Sequence, residues 1–348
     1  MKSNVMKMPT FKYLKLNSVD IEEKNFEKKE YKNFNSSDII KPIYKFNEKE
    51  YGISKLSIDE NEKYNNLKIY EEISGEKSVK YIDLSLDEKN NELFSSIDID
   101  AKENSKSSFL INVHSKNNLK NYVNNLVRVN LEKNSYVKIV LITNINENSE
   151  SLQQFVSVIE DNANLDLSYI ELGSNKSYVN FKNYLDGDKS KLDFNGIYFK
   201  ENDDYLDMLI TNEHNGNFSN SKTIFNGALK DNSKKAWKGI VDLQRGCKEA
   251  DGKISDFSVL LSDDVVSKTT PILLCREEKV KGSHAASVGR MNPDMLFYIM
   301  SRGLNKKQAE SMILEASFMP VLEKIEENDL KEKLKNKVHK MNSGSKNV

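Results

Sequence analysis

Cysteine is nearly absent from this chain: of 348 residues, only Cys247 and Cys275 carry a thiol. Two cysteines with no CxxC pair exclude a disulfide framework and argue against a zinc site or a self-contained cysteine-ligated cluster. Net charge is nearly absent as well, with 52 Lys and Arg against 53 Asp and Glu. No global field then draws the chain to nucleic acid or to anionic lipid, so neither is expected as a partner. No apolar run approaches the roughly 20 residues that a membrane-spanning helix needs. The opening stretch from Met1 to Lys15 lacks the apolar core of a signal peptide. A cytoplasmic location is the expectation. No GxxxxGK[ST] occurs, so the chain lacks a P-loop and cannot be the ATPase of a system it serves.

What is present divides into three regions. Hydrophobic residues make up 38% of the chain and charged residues 30%, which suits a core spread along an elongated body. Residues 1–95 read as a polar, loosely packed N-terminal region with short apolar clusters such as Phe11-Lys12-Tyr13-Leu14 and Ile39-Ile40. Residues 96–288 alternate apolar and polar side chains, as in Tyr136-Val137-Lys138-Ile139-Val140-Leu141-Ile142 and Leu165-Asp166-Leu167-Ser168-Tyr169-Ile170. A period of two marks strands with one buried face.

The turns between these strands resemble one another. Leu131-Glu132-Lys133-Asn134-Ser135, Ile159-Glu160-Asp161-Asn162-Ala163 and Leu185-Asp186-Gly187-Asp188-Lys189 start 26 to 28 residues apart, and Leu229-Lys230-Asp231-Asn232-Ser233 looks alike. Asn, Asp and Gly suit such corners because they tolerate left-handed backbone. A fixed period in this range signals a solenoid, here a β-helix whose coils bury their apolar edges by stacking. An ordinary antiparallel sandwich is the alternative that periodicity leaves open.

Residues 289–348 are helical by their punctuation. Asn292 is an N-cap, Pro293 stands at the first helical position, and Gly303 supplies a left-handed stop. Asn305 with Gln308 forms a variant capping box, and Ala309, Met312, Ile313 and Ala316 follow as an amphipathic stripe. Pro320 should kink or end that helix, and a Lys-rich tail follows from Asp329.

Few residues announce chemistry. His114 and His339 carry no supporting pattern, and a turn accounts for His214. Cys275 lies in the apolar run Pro271-Ile272-Leu273-Leu274 and reads as a buried small hydrophobe. Cys247 stands beside Arg245 and Lys248, which would favour its thiolate and a redox or ligand role if it is exposed. Trp237 reads as a packing anchor.

One stretch is more specific. It runs Ser258-Val259-Leu260-Leu261-Ser262-Asp263, Thr270-Pro271-Ile272-Leu273, Val280-Lys281-Gly282-Ser283-His284-Ala285-Ala286-Ser287-Val288-Gly289 and Leu296-Phe297-Tyr298-Ile299-Met300-Ser301-Arg302-Gly303-Leu304. In order and spacing this resembles the C-terminal core of the SufB/SufD family of iron–sulfur cluster assembly scaffolds, over roughly Lys238 to Ile325. Met8-Pro9-Thr10 with Leu14-Lys15-Leu16-Asn17 is a weaker echo of the family's N-terminus.

The resemblance implies a mainly β protein, a right-handed parallel β-helix with a C-terminal helical domain. It implies a non-catalytic scaffold that pairs with a SufB-like chain and docks a SufC-type ABC ATPase through Phe297, Tyr298, Ser301 and Arg302. The cluster-assembly interface would involve His284, Ser283 and Cys247, with His284 as the metal ligand. No cofactor is expected to stay bound to the chain alone; a transient iron–sulfur cluster would form at the interface with the partner. Flavin binding and a homodimer of the isolated chain stay open.

Two departures place the chain nearer SufD. Ser255-Asp256 stands where SufB-type chains carry a Cys before the Asp, and Ala285 stands where they tend to carry Glu. A hydroxyl is a poor cluster ligand beside a thiolate. Gly282 moreover occupies the place of a Cys found in many SufD chains. The rival readings are a SufB-like homodimeric scaffold and, from another class, a β-helix carbohydrate-binding protein.

Overall fold

The computed structural model describes residues 2–7, 12–34, 46, 49–76 and 79–343. Met8-Pro9-Thr10, Phe11 and Ile39-Ile40, singled out in the sequence, lie outside the described residues. Two short strands, β1 (Lys2–Ser3) and β2 (Val19–Asp20), pair antiparallel, and helix α1 (Lys55–Tyr64) precedes the main body. Sixteen strands then follow in unbroken succession. They begin with β3 (Leu67–Ile73), β4 (Lys80–Leu86), β5 (Glu92–Ala101), β6 (Lys106–Ser115), β7 (Tyr122–Leu131) and β8 (Tyr136–Asn144). The middle coils hold β9 (Glu150–Ile159), β10 (Asn164–Leu172), β11 (Lys176–Leu185), β12 (Lys191–Lys200), β13 (Tyr205–His214) and β14 (Asn220–Leu229). The last four are β15 (Lys234–Leu243), β16 (Asp251–Leu260), β17 (Val266–Cys275) and β18 (Lys281–Gly289). Three helices close the chain: α2 (Pro293–Met300), α3 (Lys306–Leu322) and α4 (Asn328–Ser343).

Odd strands β3 to β17 form one eight-stranded sheet and even strands β4 to β18 the other, each in order along the stack. All pairings within these two sheets are parallel, so the molecule is a β-solenoid and not an antiparallel sandwich. Lys106, Tyr136, Asn164, Lys191, Asn220, Asp251 and Lys281 stand in register, stepping 30, 28, 27, 29, 31 and 30 residues. The coils begin at Leu67, so the boundary expected at 95 falls inside β5. The alternation Ile82-Asp83-Leu84-Ser85-Leu86 in β4 already carried that signal.

Side chains of one parity point inward from both sheets, as pleating requires. They build an axial aromatic stack: Phe155, Phe181, Phe194, Phe225 and Trp237 follow one another at centroid spacings of 5.2, 4.7, 5.1 and 6.3 Å. Gly227 makes room for Tyr198 in the same interior, since a Cβ there would lie 1.9 Å from the tyrosine ring.

The corners after β5, β7, β9, β11, β13 and β15 each hold a left-handed residue other than glycine: Asn104, Asn134, Asn162, Lys189, Phe218 and Glu249. The amide of each donates to the next coil, Asn104 to the Lys133 carbonyl, Asn134 to Asp161 and Asn162 to Asp188. Asp231 is left-handed too, but it follows an even strand and belongs to the opposite corner.

Both outer faces are covered. On the even sheet, Ile142, Ile170, Leu172, Ile197 and Phe199 pack against Leu314, Phe318 and Val321 of α3 and Leu334 and Val338 of α4. The capping box of α3 forms as expected, and so does the Asn292 cap of α2. The predicted stripe of α3 forms in part: Ala309 is buried and Ile313 packs against the same cluster, but Met312 and Ala316 face solvent while Leu314 and Phe318 are buried, because the bulkier row removes more apolar surface from water. Pro320 lies two residues before the end of α3. On the odd sheet, α1 docks through Asn61 Nδ2, which donates to the Ser95 and Asn124 carbonyls at 3.1 and 2.7 Å. Asn4 crosses the same face and donates to Asp207 Oδ1 at 2.7 Å.

Candidate functional site

The two ends of the stack differ, and the difference locates the site. At the first coil Leu67, Ile69, Ile82, Leu84 and Leu86 are buried. Tyr31 lies over them, its hydroxyl donating to the Ser85 carbonyl at 2.8 Å, and Asn33 Nδ2 donates to the same carbonyl at 2.9 Å. At the last coil the corresponding inward positions of β18 are His284, Ala286 and Val288, in register with Ile254, Asp256 and Ser258 below. None is covered, and Val288 is 41% exposed. Each of β17 and β18 is the last strand of its sheet, so each has one row of backbone polar groups with no neighbouring strand. Such an edge is a template for pairing with another chain. Pro271 within β17 fits an edge position, where a missing N–H is tolerated.

His284 therefore stands in the mouth of the solenoid with Ser283 exposed beside it. Its inward aim follows from Gly282, of the same parity, where an added Cβ would lie 2.6 Å from Leu273 Cδ1 across the coil. The same contact leaves no space for a larger side chain at 282 unless Leu273 shifts. Among the described residues no three His, Cys, Asp or Glu side chains come together to hold a metal ion. His284 by itself supplies one ligand.

Cys247 does not join this surface. It is fully buried in the main core at the turn after β15, and burial pushes its thiol up to about 11, so the exposure that a reactive thiolate requires is missing. Cys275 reverses its expectation in the other direction. It ends β17 in register with buried Leu243, but no coil follows, and it is exposed.

Directly beneath the mouth lies a polar cluster that the sequence reading missed. Lys235 and Asp256 are wholly buried and paired at 2.5 Å. Lys235 Nζ also donates to Ser258 Oγ at 2.6 Å, Thr269 Oγ1 at 2.8 Å and Tyr198 Oη at 3.0 Å. Thr269 donates to Asp256 Oδ2 at 2.9 Å, which ties the last coil to the one below. Burial lowers the Lys235 pKa, opposed by Asp256, and raises that of Tyr198 well above its ordinary value. The available signal was parity with Trp237, which marks Lys235 as inward-facing. Ser255, the position that set the chain apart from SufB, has the opposite parity and lies on the outer face.

Beside the mouth, α2 has no fully buried residue. Phe297 is 75% and Tyr298 59% exposed. Leu296 is half-buried and packs against the cluster under α3 and α4. Met295 is exposed. Arg302 stacks 5.1 Å from the Tyr298 ring centroid and donates to its hydroxyl at 3.1 Å, with Ser301 exposed next to it. The four residues of the expected docking surface thus form one solvent-facing patch.

Residues 84–317 match the family model described as SUF system FeS cluster assembly, SufBD core domain. The chain is 22% identical over 236 residues to the iron-sulfur cluster assembly protein SufD of Escherichia coli, covering 68% of this chain and 56% of that protein. It is 32% identical over 121 residues to SufD of Bacillus subtilis, covering 35% of this chain and 28% of that protein. A SufBD family protein of Pyrococcus horikoshii is 27% identical over 199 residues, 56% of this chain and 43% of its own length. The chain thus spans about half or less of these curated relatives. The matched span begins in β4, runs through the remaining coils and ends in α3, so most of the solenoid, its open end and the exposed helix fall within it, and the chain belongs to the SufBD core family, closer to SufD.

Proposed function

We propose that the chain is a non-catalytic scaffold subunit of iron–sulfur cluster assembly. It pairs through β17 and β18 with a SufB-like chain and docks an ABC-type ATPase through the α2 patch. The observation that carries this reading is the uncovered last coil, within a span that matches the SufBD core model. Pairing would satisfy both edge strands and place His284 against the second chain's mouth. The cluster is cargo: His284 would provide one imidazole ligand, and the remaining ligands would come from the partner. Work would be supplied by the ATPase, in line with the missing P-loop, and the setting would be cytoplasmic.

The test is co-expression with the SufB-like and ATPase chains of the same genome, followed by purification and iron and sulfide assay. Wild type is expected to form the complex and carry cluster. His284→Ala should leave the complex intact and lower its iron content, and Arg302→Ala should weaken ATPase binding roughly tenfold, about 1.4 kcal/mol. Iron held in full by the His284→Ala complex would remove that residue from the site. Chelator-resistant iron on the chain alone would favour the SufB-like homodimeric scaffold.

A further inference from the structure

Arginine is scarce here. Only five of the 52 basic residues are Arg, at 128, 245, 276, 290 and 302, and four of those lie in the last 104 residues. A planar guanidinium grips carboxylates in a fork that lysine cannot reproduce, so an arginine pair in a lysine-rich chain points to oxyanion recognition. Arg245 and Arg276 line one groove with Asn215 and Gln244, of about 630 Å³, at the corner after the odd strands.

The groove ends a charge gradient along that corner. The residues whose amides donate to the coil before are, in order, Lys102, Glu132, Glu160, Asp186, Asn215, Gln244 and Arg276. Lys102 is paired with Asp100 and Glu132; beyond it, acid gives way to amide and then to base toward the open end. Asp186 is already satisfied by Lys49 and Asn215, both at 2.7 Å. Arg276 is oriented by buried Asp242, which accepts from its Nε at 3.3 Å and leaves the two terminal nitrogens without an ion-pair partner among the described residues. Arg245 is exposed and has no ion-pair partner among the described residues. The local acids are Glu277, which accepts from the Gly246 amide at 2.9 Å, and exposed Glu278.

The opposite corner carries the complementary charge. The turn from β16 into β17 presents Asp263 and Asp264, both exposed, with Arg290 paired to Asp263. β17 runs from this acidic corner to the Arg276 corner. A two-fold axis normal to the sheet, beside the free edge of β17 and level with its middle, lays two copies of the strand antiparallel and sets each basic corner against the other copy's acidic one. A two-fold along the strands would instead match β17 to β18 and bring like charges together.

We propose that Arg245 and Arg276 seat carboxylates of the chain that pairs with the open end, and that a second copy of this chain fills the seat with Asp263 and Asp264. This rests on the reading of the open end as a pairing edge. It adds a device that fixes the orientation of the pair and selects its partner.

Sedimentation equilibrium of the full chain tests it, with circular dichroism melts to confirm folding. R245E/R276E and D263K/D264K should each dimerise roughly tenfold or more weakly than wild type, and mixing the two should restore dimers, since both corner contacts become attractive again. The neutral pairs R245Q/R276Q and D263N/D264N should fall between, and added salt should weaken the wild type. A charge-reversed variant that dimerises like wild type, or a mixture that stays monomeric, overturns the seat while leaving edge pairing standing. A wild type that stays monomeric overturns the second copy as occupant, whereas binding to the SufB-like chain is read separately by co-purification.

Discussion

The first and last coils are built from the same inward positions, yet one end is finished and the other is not. Leu84 and Leu86 lie under Tyr31 and are buried, while His284 and Val288 look out of the stack. The interior also changes character. The middle coils are filled by stacked aromatics, and below the mouth stands a buried charge pair bridged to the last coil by Thr269. A closed end needs apolar cover, whereas an open end must hold its last strands in register without it. Polar ties supply that hold here: Thr269 to Asp256, Arg276 to Asp242, and Lys268 Nζ to the Leu14 carbonyl at 3.0 Å.

The contrast can be broken in graded steps. The largest effect is expected from Lys235→Met, which strands a buried Asp256 carboxylate and should cost about 3–5 kcal/mol in urea unfolding. The double variant K235M/D256L should recover much of that loss, and a double as unstable as the single would mean that the pair is not the unit. Next comes the closed end. Tyr31→Ala should cost about 3 kcal/mol through lost burial, while Leu273→Ala in the half-exposed last coil should cost about 1 kcal/mol. Equal losses at the two ends would erase the distinction. The smallest is Thr269→Val, expected at about 1 kcal/mol for its hydrogen bonds. Its readout is faster amide exchange in β17 with β3 to β13 unchanged; uniform acceleration would show that Thr269 does not act on the last coil.

Much of this was legible because the corner chemistry repeats. Asn104, Asn134 and Asn162 advertise the left-handed position that only a few residue types favour. Lys189, Phe218 and Glu249 occupy the same position with φ of 58, 55 and 59°, and there the residue type says nothing. The hydrogen-bond ladder between coils holds them instead, Lys189 donating to Asn217, Phe218 to Lys248 and Glu249 to Lys279. For the same reason the turn at Asp231 passed for a member of a column to which it does not belong. Capping signals placed α2 and α3 because caps are local. The burial of Cys247 and the exposure of Cys275 could not be read this way. Their surroundings look alike in sequence, and what separates them is whether another coil follows. His284 was singled out by its motif, but only the strand order shows that it stands at a mouth. The Lys235 cluster was hidden because a lysine near the start of a strand reads as solvated until the inward parity is known.

The central claim is that the β17–β18 end, and not the Tyr31 end, is where a partner joins. Hydrogen–deuterium exchange of the chain alone and with the SufB-like chain tests it directly. The account predicts that, at a concentration where the free chain is monomeric, residues 266–289 exchange fastest among the coils and gain protection on mixing, while residues 67–86 stay unchanged. Protection that appears over 67–86, with 266–289 unaltered, would contradict it.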